Sequence, residues 1–168
     1  DTCMELLLNG TSAGHKILLF SQFTSMLEII AKRLKKEKIP FYLLIGSTPK
    51  RDRVQMASSF QKDDVMVFLI SLKAGGTGLN LTAADVVIHY DPWWNVAAQN
   101  QATDRAHRIG QENQVSVFKL ITKHTIEENI LKLQEMKRDL ADTVVTEGTG
   151  ALSSITREDL IRMLDEDI

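Results

Sequence analysis

Five short apolar runs alternate along this chain with segments of helical character, and this alternation constrains the fold more than any other feature. The runs occupy residues 16–20, 41–45, 65–70, 86–90 and 115–120. Runs that are apolar throughout, rather than at every second residue, are typical of strands buried on both faces of a sheet. Strands that alternate with helices are typical of parallel sheets. The sequence therefore predicts an α/β domain of three layers, with a mostly parallel sheet and ligands at the carboxyl ends of its strands.

The segments between the runs carry helical periodicity or helix-start signals. Apolar residues at helical spacing predict a helix over 24–38. Thr48 followed by Pro49 predicts a helix over 49–61, with Thr48 as its cap. A third helix is predicted across roughly 95–107, ahead of the last strand.

Both ends of the chain fall outside the alternation. Residues 2–8 have the composition of the end of a helix, and residues 9–14 are expected to form a loop. Thr125 opens a capping box that predicts a long helix. We expect residues 1–141 to form one lobe, and residues 142–168 to form a flexible segment and a short helical appendage.

Net charge, cysteine content and hydropathy exclude several classes of protein. A formal charge of −2 argues against a protein that coats nucleic acid by charge alone. Cys3 is the only cysteine, so an internal disulfide is impossible. A reducing compartment is therefore expected. We expect an intracellular location, in the cytoplasm or nucleoid of a prokaryote or in the nucleus of a eukaryote. The histidines lack the spacing of metal ligands, so no metal site is expected. No apolar run reaches the ~18–20 residues that span a bilayer, so no membrane partner is expected.

One polar segment, residues 101–111, has two interpretations. On a helix Gln101, Arg105 and Arg108 would share one face. Two guanidinium groups on that face would suit the oxygens of a phosphate. The alternative is a solvated helix face with an Asp104–Arg108 ion pair. The spacing alone leaves both open.

A glycine-rich segment, residues 71–82, directly follows the third run. Glycines let the backbone turn sharply and let its amides approach a phosphate. The alternative is a tight loop without a ligand. Ser21 and Gln22 follow the first run and supply small polar groups. Thr48 lies at a helix start, where free backbone amides could bind a phosphate. Capping without a ligand is the commoner use of such residues.

The chain lacks the parts of a complete P-loop ATPase. The stretch from Gly10 to Lys16 has the wrong spacing for the phosphate-binding loop, and no Ser or Thr follows the lysine. No acidic box at a strand end is present to hold Mg²⁺. An enzyme built on this chain would need a second part to bind ATP.

Taken together, these segments resemble the C-terminal RecA-like lobe of the Swi/Snf family of superfamily 2 helicase-like ATPases. KILLFSQF (16–23) looks like motif IV, and SLKAGGTGLNLTAADVVIHYDPWWN (71–95) looks like motif V with its extension. QATDRAHRIGQ (101–111) looks like motif VI, and it is highly specific because other helicase families replace its DRAHRIGQ core. Gly46-Ser47-Thr48 followed by Arg53 is similar to a further conserved box. The resemblance implies a RecA-like, P-loop NTPase-like fold.

The resemblance also implies roles at a nucleotide. Arg105 and Arg108 would be arginine fingers that reach ATP bound on an N-terminal RecA-like lobe of the same chain, which would also hold most of the contacts to Mg²⁺. Gln101 would help to place them. Gly78 and Asn80 would lie near the nucleotide.

A second set of residues is implied to bind double-stranded DNA. Contacts to the sugar–phosphate backbone of one strand would come from Ser21, Gln22, Thr48, Gly75, Gly76 and Thr77. Residues 125–141 resemble the brace helix that crosses back toward the first lobe. The large insertions of several eukaryotic remodellers are absent, which favours a compact bacterial or archaeal member.

The implied function is that of the second motor lobe of an ATP-dependent double-stranded DNA translocase or remodeller, acting on a DNA-bound protein. The lobe alone is expected to be inactive. One alternative is a degenerate helicase-like lobe that serves as a nucleic-acid or protein-binding scaffold without hydrolysis. Another is an unrelated α/β phosphate-binding domain, for which motif VI would have to be a coincidence.

Overall fold

The computed structural model describes residues 1–74, 79–93, 96–106, 114–132 and 134–135. Within these residues no helix is long and apolar enough to cross a membrane. The same residues contain no group of three or more His, Cys, Asp or Glu side chains that would bind a metal ion.

A five-stranded parallel sheet forms the centre of the first compact unit, Asp1–Ile121. The strand order is β2-β3-β1-β4-β5, and every neighbouring pair is parallel. The strands are β1 (Ile17–Ser21), β2 (Phe41–Leu44), β3 (Val67–Ser71), β4 (Val86–His89) and β5 (Ser116–Lys119). Each predicted run therefore supplies one strand, and the predicted α/β parallel architecture is confirmed.

Helices cover both faces of this sheet. They are α1 (Thr2–Ser12), α2 (Thr24–Lys36), α3 (Lys50–Phe60) and α4 (Val96–Thr103). One buried apolar cluster includes Phe60 of α3 and Ala102 of α4, and the other includes Leu7 of α1 and Leu34 of α2. The sheet thus lies between an α1–α2 layer and an α3–α4 layer.

The strand order places a topological switch point between β1 and β4. After β1 the chain moves toward β2 on one side of the sheet, whereas after β4 it moves toward β5 on the other side. Parallel sheets bind ligands in the crevice that such a reversal opens at the carboxyl ends of the strands. The segments after Ser21 and His89 border that crevice.

Lys16 marks the opposite, amino edge of the sheet. It directly precedes β1, and its ammonium group donates hydrogen bonds to the carbonyl oxygens of Phe60 and Asp63. The Nζ atom also lies 4.8 Å from the centre of the Phe60 ring. The C-terminal end of α3 is therefore fixed at the amino edge, and Lys16 has a structural role that differs from that of a phosphate-binding lysine.

The loop predicted over 9–14 is wrong for most of its length, because α1 continues to Ser12. Gly10 is accepted inside the helix because the helix packs closely on β1. A Cβ atom at Gly10 would lie 2.7 Å from Cδ1 of Ile17. The reversal comes at Gly14, whose φ of +82° suits glycine.

The predicted end of the second helix is also revised. α2 ends at Lys36, and the next residues form a Schellman motif rather than continuing toward Pro40. The Ile39 N–H donates to the Leu34 carbonyl at 3.0 Å, and the Lys38 N–H donates to the Lys35 carbonyl at 3.1 Å. Lys38 takes the left-handed conformation, with φ of +59°.

Thr48 does not cap α3 as predicted. Its hydroxyl oxygen accepts from the Ile45 N–H at 3.1 Å and closes the preceding turn. Pro49 occupies the N-cap position instead, without a side-chain hydrogen bond to the helix. The helix therefore begins one position later than Thr48-Pro49 suggested, because the threonine is used by the turn.

A second compact unit begins at Thr122. The Thr125 hydroxyl accepts from the Glu127 N–H at 3.3 Å, so Thr125 caps a helix as predicted. The Glu127 carboxylate accepts from the Thr122 N–H at 2.6 Å, so it also bonds to the segment before the cap. Residues 136–168, with the boundary expected after 141, lie outside the described residues.

Candidate functional site

A buried carboxylate joins the two strand ends at the switch point. Asp91, which is 4% exposed, follows β4 and accepts a hydrogen bond from the Ser21 hydroxyl at the end of β1. Its other oxygen accepts from the Gln22 N–H at 3.0 Å. The Ser21 hydroxyl oxygen in turn accepts from the Phe23 N–H at 3.0 Å. Asp91 thus fixes the backbone that leaves β1.

The two predicted DNA-contact residues at the end of β1 differ in their exposure. Ser21 is fully buried, so its hydroxyl organises this loop in the present structure. Gln22 is half-buried, and its side-chain amide donates to the Pro92 carbonyl at 3.4 Å. Asp91 was not predicted from the sequence as a member of the site. The available signal was a carboxylate directly before proline at a predicted strand end.

Arg53 connects the loop after β2 with the segment after β3. Its Nε donates to the Thr48 carbonyl at 2.7 Å and one terminal nitrogen donates to the Gly46 carbonyl at 2.8 Å. The other terminal nitrogen donates to the Ala74 carbonyl at 3.2 Å. Thr48 and Ala74 are therefore held side by side at the carboxyl edge. Of the glycine-rich segment, Gly75, Gly76, Thr77 and Gly78 lie outside the described residues.

Gln61 holds the other flank of the glycine-rich segment. Its side-chain amide donates to the Asn80 carbonyl at 2.9 Å, and its side-chain oxygen accepts from the Ala83 N–H at 2.9 Å. Gln61 is the residue directly after α3, at the amino edge of the sheet. Asn80 itself is exposed.

The structure also brings Asn80 and Arg105 together. The N–H of Leu81, next to Asn80, donates to the Arg105 carbonyl at 3.1 Å. Asn80 and Arg105 are 25 positions apart in the sequence, and this hydrogen bond brings their backbones close together. Their neighbours Leu81 and Ala106 belong to the buried cluster on the α3–α4 side of the sheet.

The predicted common face of Gln101 and Arg105 is not formed. α4 ends at Thr103, earlier than predicted, and the N–H groups of Arg105 and Ala106 bond to carbonyls only three residues back. This tighter turn carries Ala106 into the apolar cluster. Gln101 is exposed whereas Arg105 is 4% exposed. Arg108 lies outside the described residues.

His89 anchors the end of α4 to the sheet. Its ring lies 5.7 Å from that of Phe20, and its Nε2 is 2.9 Å from the Thr103 hydroxyl oxygen. That hydroxyl donates to the Gln99 carbonyl at 3.3 Å, so we assign the imidazole proton to Nε2. Burial, with a smaller effect of Lys119, lowers the pKa of His89 from 6.5 to about 4. The imidazole is therefore neutral at physiological pH.

Cys3 is buried in the α1–α2 layer, and burial raises the pKa of its thiol to about 11. A thiol with a raised pKa is unreactive at neutral pH. The one cysteine of the chain is therefore a packing residue.

The comparisons with known proteins agree with this geometry. Residues 1–110 match the family described as helicase conserved C-terminal domain. An uncharacterized ATP-dependent helicase of Mycoplasma pneumoniae is 39% identical over 166 residues, which cover 98% of this chain and 16% of that protein. The chromatin-remodeling ATPase INO80 of Homo sapiens is 40% identical over 163 residues, which cover 96% of this chain and 10% of that protein.

A solved structure is similar as well. The crystal structure of the C-terminal part of the Fun30 ATPase domain superposes with a TM-score of 0.74 at 39% identity, over 79% of this chain and 44% of that one. The chain spans 16% of the first relative named above and 10% of the second. The chain belongs to the helicase conserved C-terminal domain family, as a RecA-like lobe of the Swi/Snf type.

Proposed function

We propose that this chain is the second motor lobe of an ATP-dependent double-stranded DNA translocase or remodeller. In this role it supplies arginine fingers to ATP that an N-terminal RecA-like lobe binds. The observation that carries the proposal is the backbone hydrogen bond from Leu81 to Arg105, 3.1 Å long, which joins the motif V segment to the motif VI segment. It gathers Asn80 and Arg105 into one candidate nucleotide-facing region.

The side chains of this region suit the anionic end of a nucleotide. Asn80 carries an amide donor and Arg105 carries a guanidinium group, and we propose that Gln101 and Arg108 join them at the nucleotide. When ATP is bound with Mg²⁺, the nucleotide supplies the phosphoryl group and the metal neutralises part of its charge. We assign most Mg²⁺ contacts to the other lobe.

The arginines would stabilise the charge that develops on the phosphoryl group. Fingers of this kind contribute about 10³–10⁵ in rate, or roughly 4–7 kcal/mol of barrier. Arg105 is buried in this structure, so its side chain must change position before it reaches a nucleotide. We propose that closure of the two lobes brings about this change and makes hydrolysis depend on closure.

The carboxyl edge would bind the DNA backbone. Gln22, Thr48 and the segment that follows Ala74 are proposed to contact phosphates, whereas Ser21 holds the loop through Asp91. Contacts to phosphate carry no base information, so binding is expected to be tolerant of sequence and sensitive to salt. A protein bound to the DNA is the proposed target of remodelling. Such a protein would work where DNA is found, in a nucleoid or nucleus.

A measurement of ATP turnover by the complete protein distinguishes the proposed motor function from the alternative of a non-hydrolysing scaffold. We expect double-stranded DNA to stimulate hydrolysis, with random and repetitive duplexes of equal length acting alike. A scaffold would bind DNA or protein without turnover in either case. Absence of DNA-stimulated hydrolysis in the purified complete protein would therefore reject the motor.

The purified 168-residue chain alone is expected to hydrolyse no ATP. The physical reason is that it lacks the phosphate-binding loop and the acidic box that hold ATP and Mg²⁺. Turnover is measured by phosphate release, with the Arg108→Ala chain as the contamination control. Turnover that this substitution removes would contradict the assignment of ATP binding to another lobe.

A further inference from the structure

We propose that α3 couples DNA binding to the nucleotide, because two side chains of this helical segment hold both flanks of the glycine-rich segment. We call Arg53 and Gln61 the α3 bracket. Neither residue is among the proposed ATP or DNA contacts. The inference rests on the proposed function and adds to it the path by which the two proposed sites communicate.

The first half of the bracket is Arg53. All three of its nitrogens donate to backbone carbonyls, two in the loop after β2 and one at Ala74. A planar guanidinium group fixes the positions of its acceptors relative to one another, which a lysine ammonium cannot do. Displacement of the Thr48 loop by DNA is therefore transmitted to Ala74.

The second half of the bracket is Gln61. Its amide group both donates to Asn80 and accepts from Ala83. The Leu81 N–H then donates to the Arg105 carbonyl. Displacement at this end therefore reaches both Asn80 and Arg105.

The rigid connection between the two halves is the helix itself. Arg53 and Gln61 are eight residues apart, which corresponds to about 12 Å along a helix. Phe60 and Ala57 bury this helix against the sheet, and Lys16 fixes its C-terminal end. The helix is therefore a rigid link, and we expect it to keep the two flanks of the glycine-rich segment at fixed positions relative to each other.

Hydrogen exchange tests the bracket without any assumption about function. In the complete protein, Arg53→Lys and Gln61→Ala are expected to raise amide exchange at Leu81 and Ala84 at least about 10-fold. The controls are Arg51→Lys and Gln55→Ala, which change the same residue types at exposed positions of α3. Unchanged exchange in both bracket variants would overturn the inference whatever the protein does.

Coupling is then measured as the ratio of DNA dissociation constants without and with a non-hydrolysable ATP analogue. We expect a wild-type ratio well away from one, which the bracket variants bring to within about 2-fold of one and the control variants retain. A wild-type ratio of one, or bracket variants that keep the wild-type ratio, would overturn the coupling and leave the motor assignment intact. A wild-type protein that binds neither ligand would overturn the proposed function, and the coupling with it.

Discussion

The residues that organise this lobe are polar side chains buried where strands end. Asp91 and His89 are each less than 5% exposed, and each fixes a segment that the sequence places far away. Asp91 holds the loop after β1 through Ser21 and Gln22, and His89 holds α4 through Thr103. Sequence reasoning could not assign these partners, because the Ser21–Asp91 contact joins positions 70 residues apart. Local spacing carries no signal for such a contact.

The lowered pKa of His89 predicts a dependence of stability on pH. The folded-state pKa is about 4 and the ordinary value is 6.5. Between these values the unfolded chain binds a proton and the folded chain does not. The contribution of His89 to the free energy of unfolding should therefore be fully present above pH 6.5. It should be lost as the pH falls to 4, which lowers the free energy of unfolding by about 3 kcal/mol.

Urea unfolding between pH 4 and 7 measures this contribution. His89→Gln removes the titrating group and should flatten the profile relative to the wild type. The exposed His124→Gln serves as the control. If His89→Gln and the wild type lose stability in parallel, burial of a neutral imidazole is not the cause.

At the scale of elements, the strands and the cores of the helices could be predicted, whereas the helix ends could not. Apolar runs predict β1 and β3 because both sheet faces are covered there and every residue of these two strands is buried. The burial expected for the last run is wrong, because all four residues of β5 are exposed. Helix ends depend on contacts that local patterns do not carry. Gly10 lies within α1, where its missing Cβ atom leaves room for Cδ1 of Ile17, and Thr48 closes a turn instead of capping α3. α4 ends early as the next turn carries Ala106 into the core.

The end of α2 supplies a stability prediction. Lys38 is exposed and has φ of +59°, a conformation that costs a residue with a Cβ atom about 1–2 kcal/mol. Lys38→Gly should therefore raise the free energy of unfolding by about 0.5–1 kcal/mol. Thermal and urea unfolding measure the change. Lys38→Ala is the control, and an equal gain from alanine would show that loss of the lysine charge is responsible.

At the scale of the whole lobe, the structure brings the described site residues into two groups. Ser21, Gln22 and Thr48 lie at the carboxyl edge, where the switch point opens. Asn80 and Arg105 lie together, next to residues of the buried cluster on the α3–α4 side. Sequence order could not provide these groups, because they depend on which strands are neighbours in the sheet and on a long-range backbone hydrogen bond. The proposed motor would use the first group for DNA and the second for the nucleotide.

The central claim is that this lobe supplies arginines to a nucleotide held elsewhere. DNA-stimulated ATP turnover of the complete protein, measured beside its DNA affinity, tests that claim most directly. Arg108→Ala should lower turnover by about 10³–10⁵ while DNA affinity stays within about 3-fold of wild type. Arg51→Ala, on the exposed face of α3, should leave turnover near the wild-type value. Wild-type turnover in the Arg108→Ala protein would contradict the account.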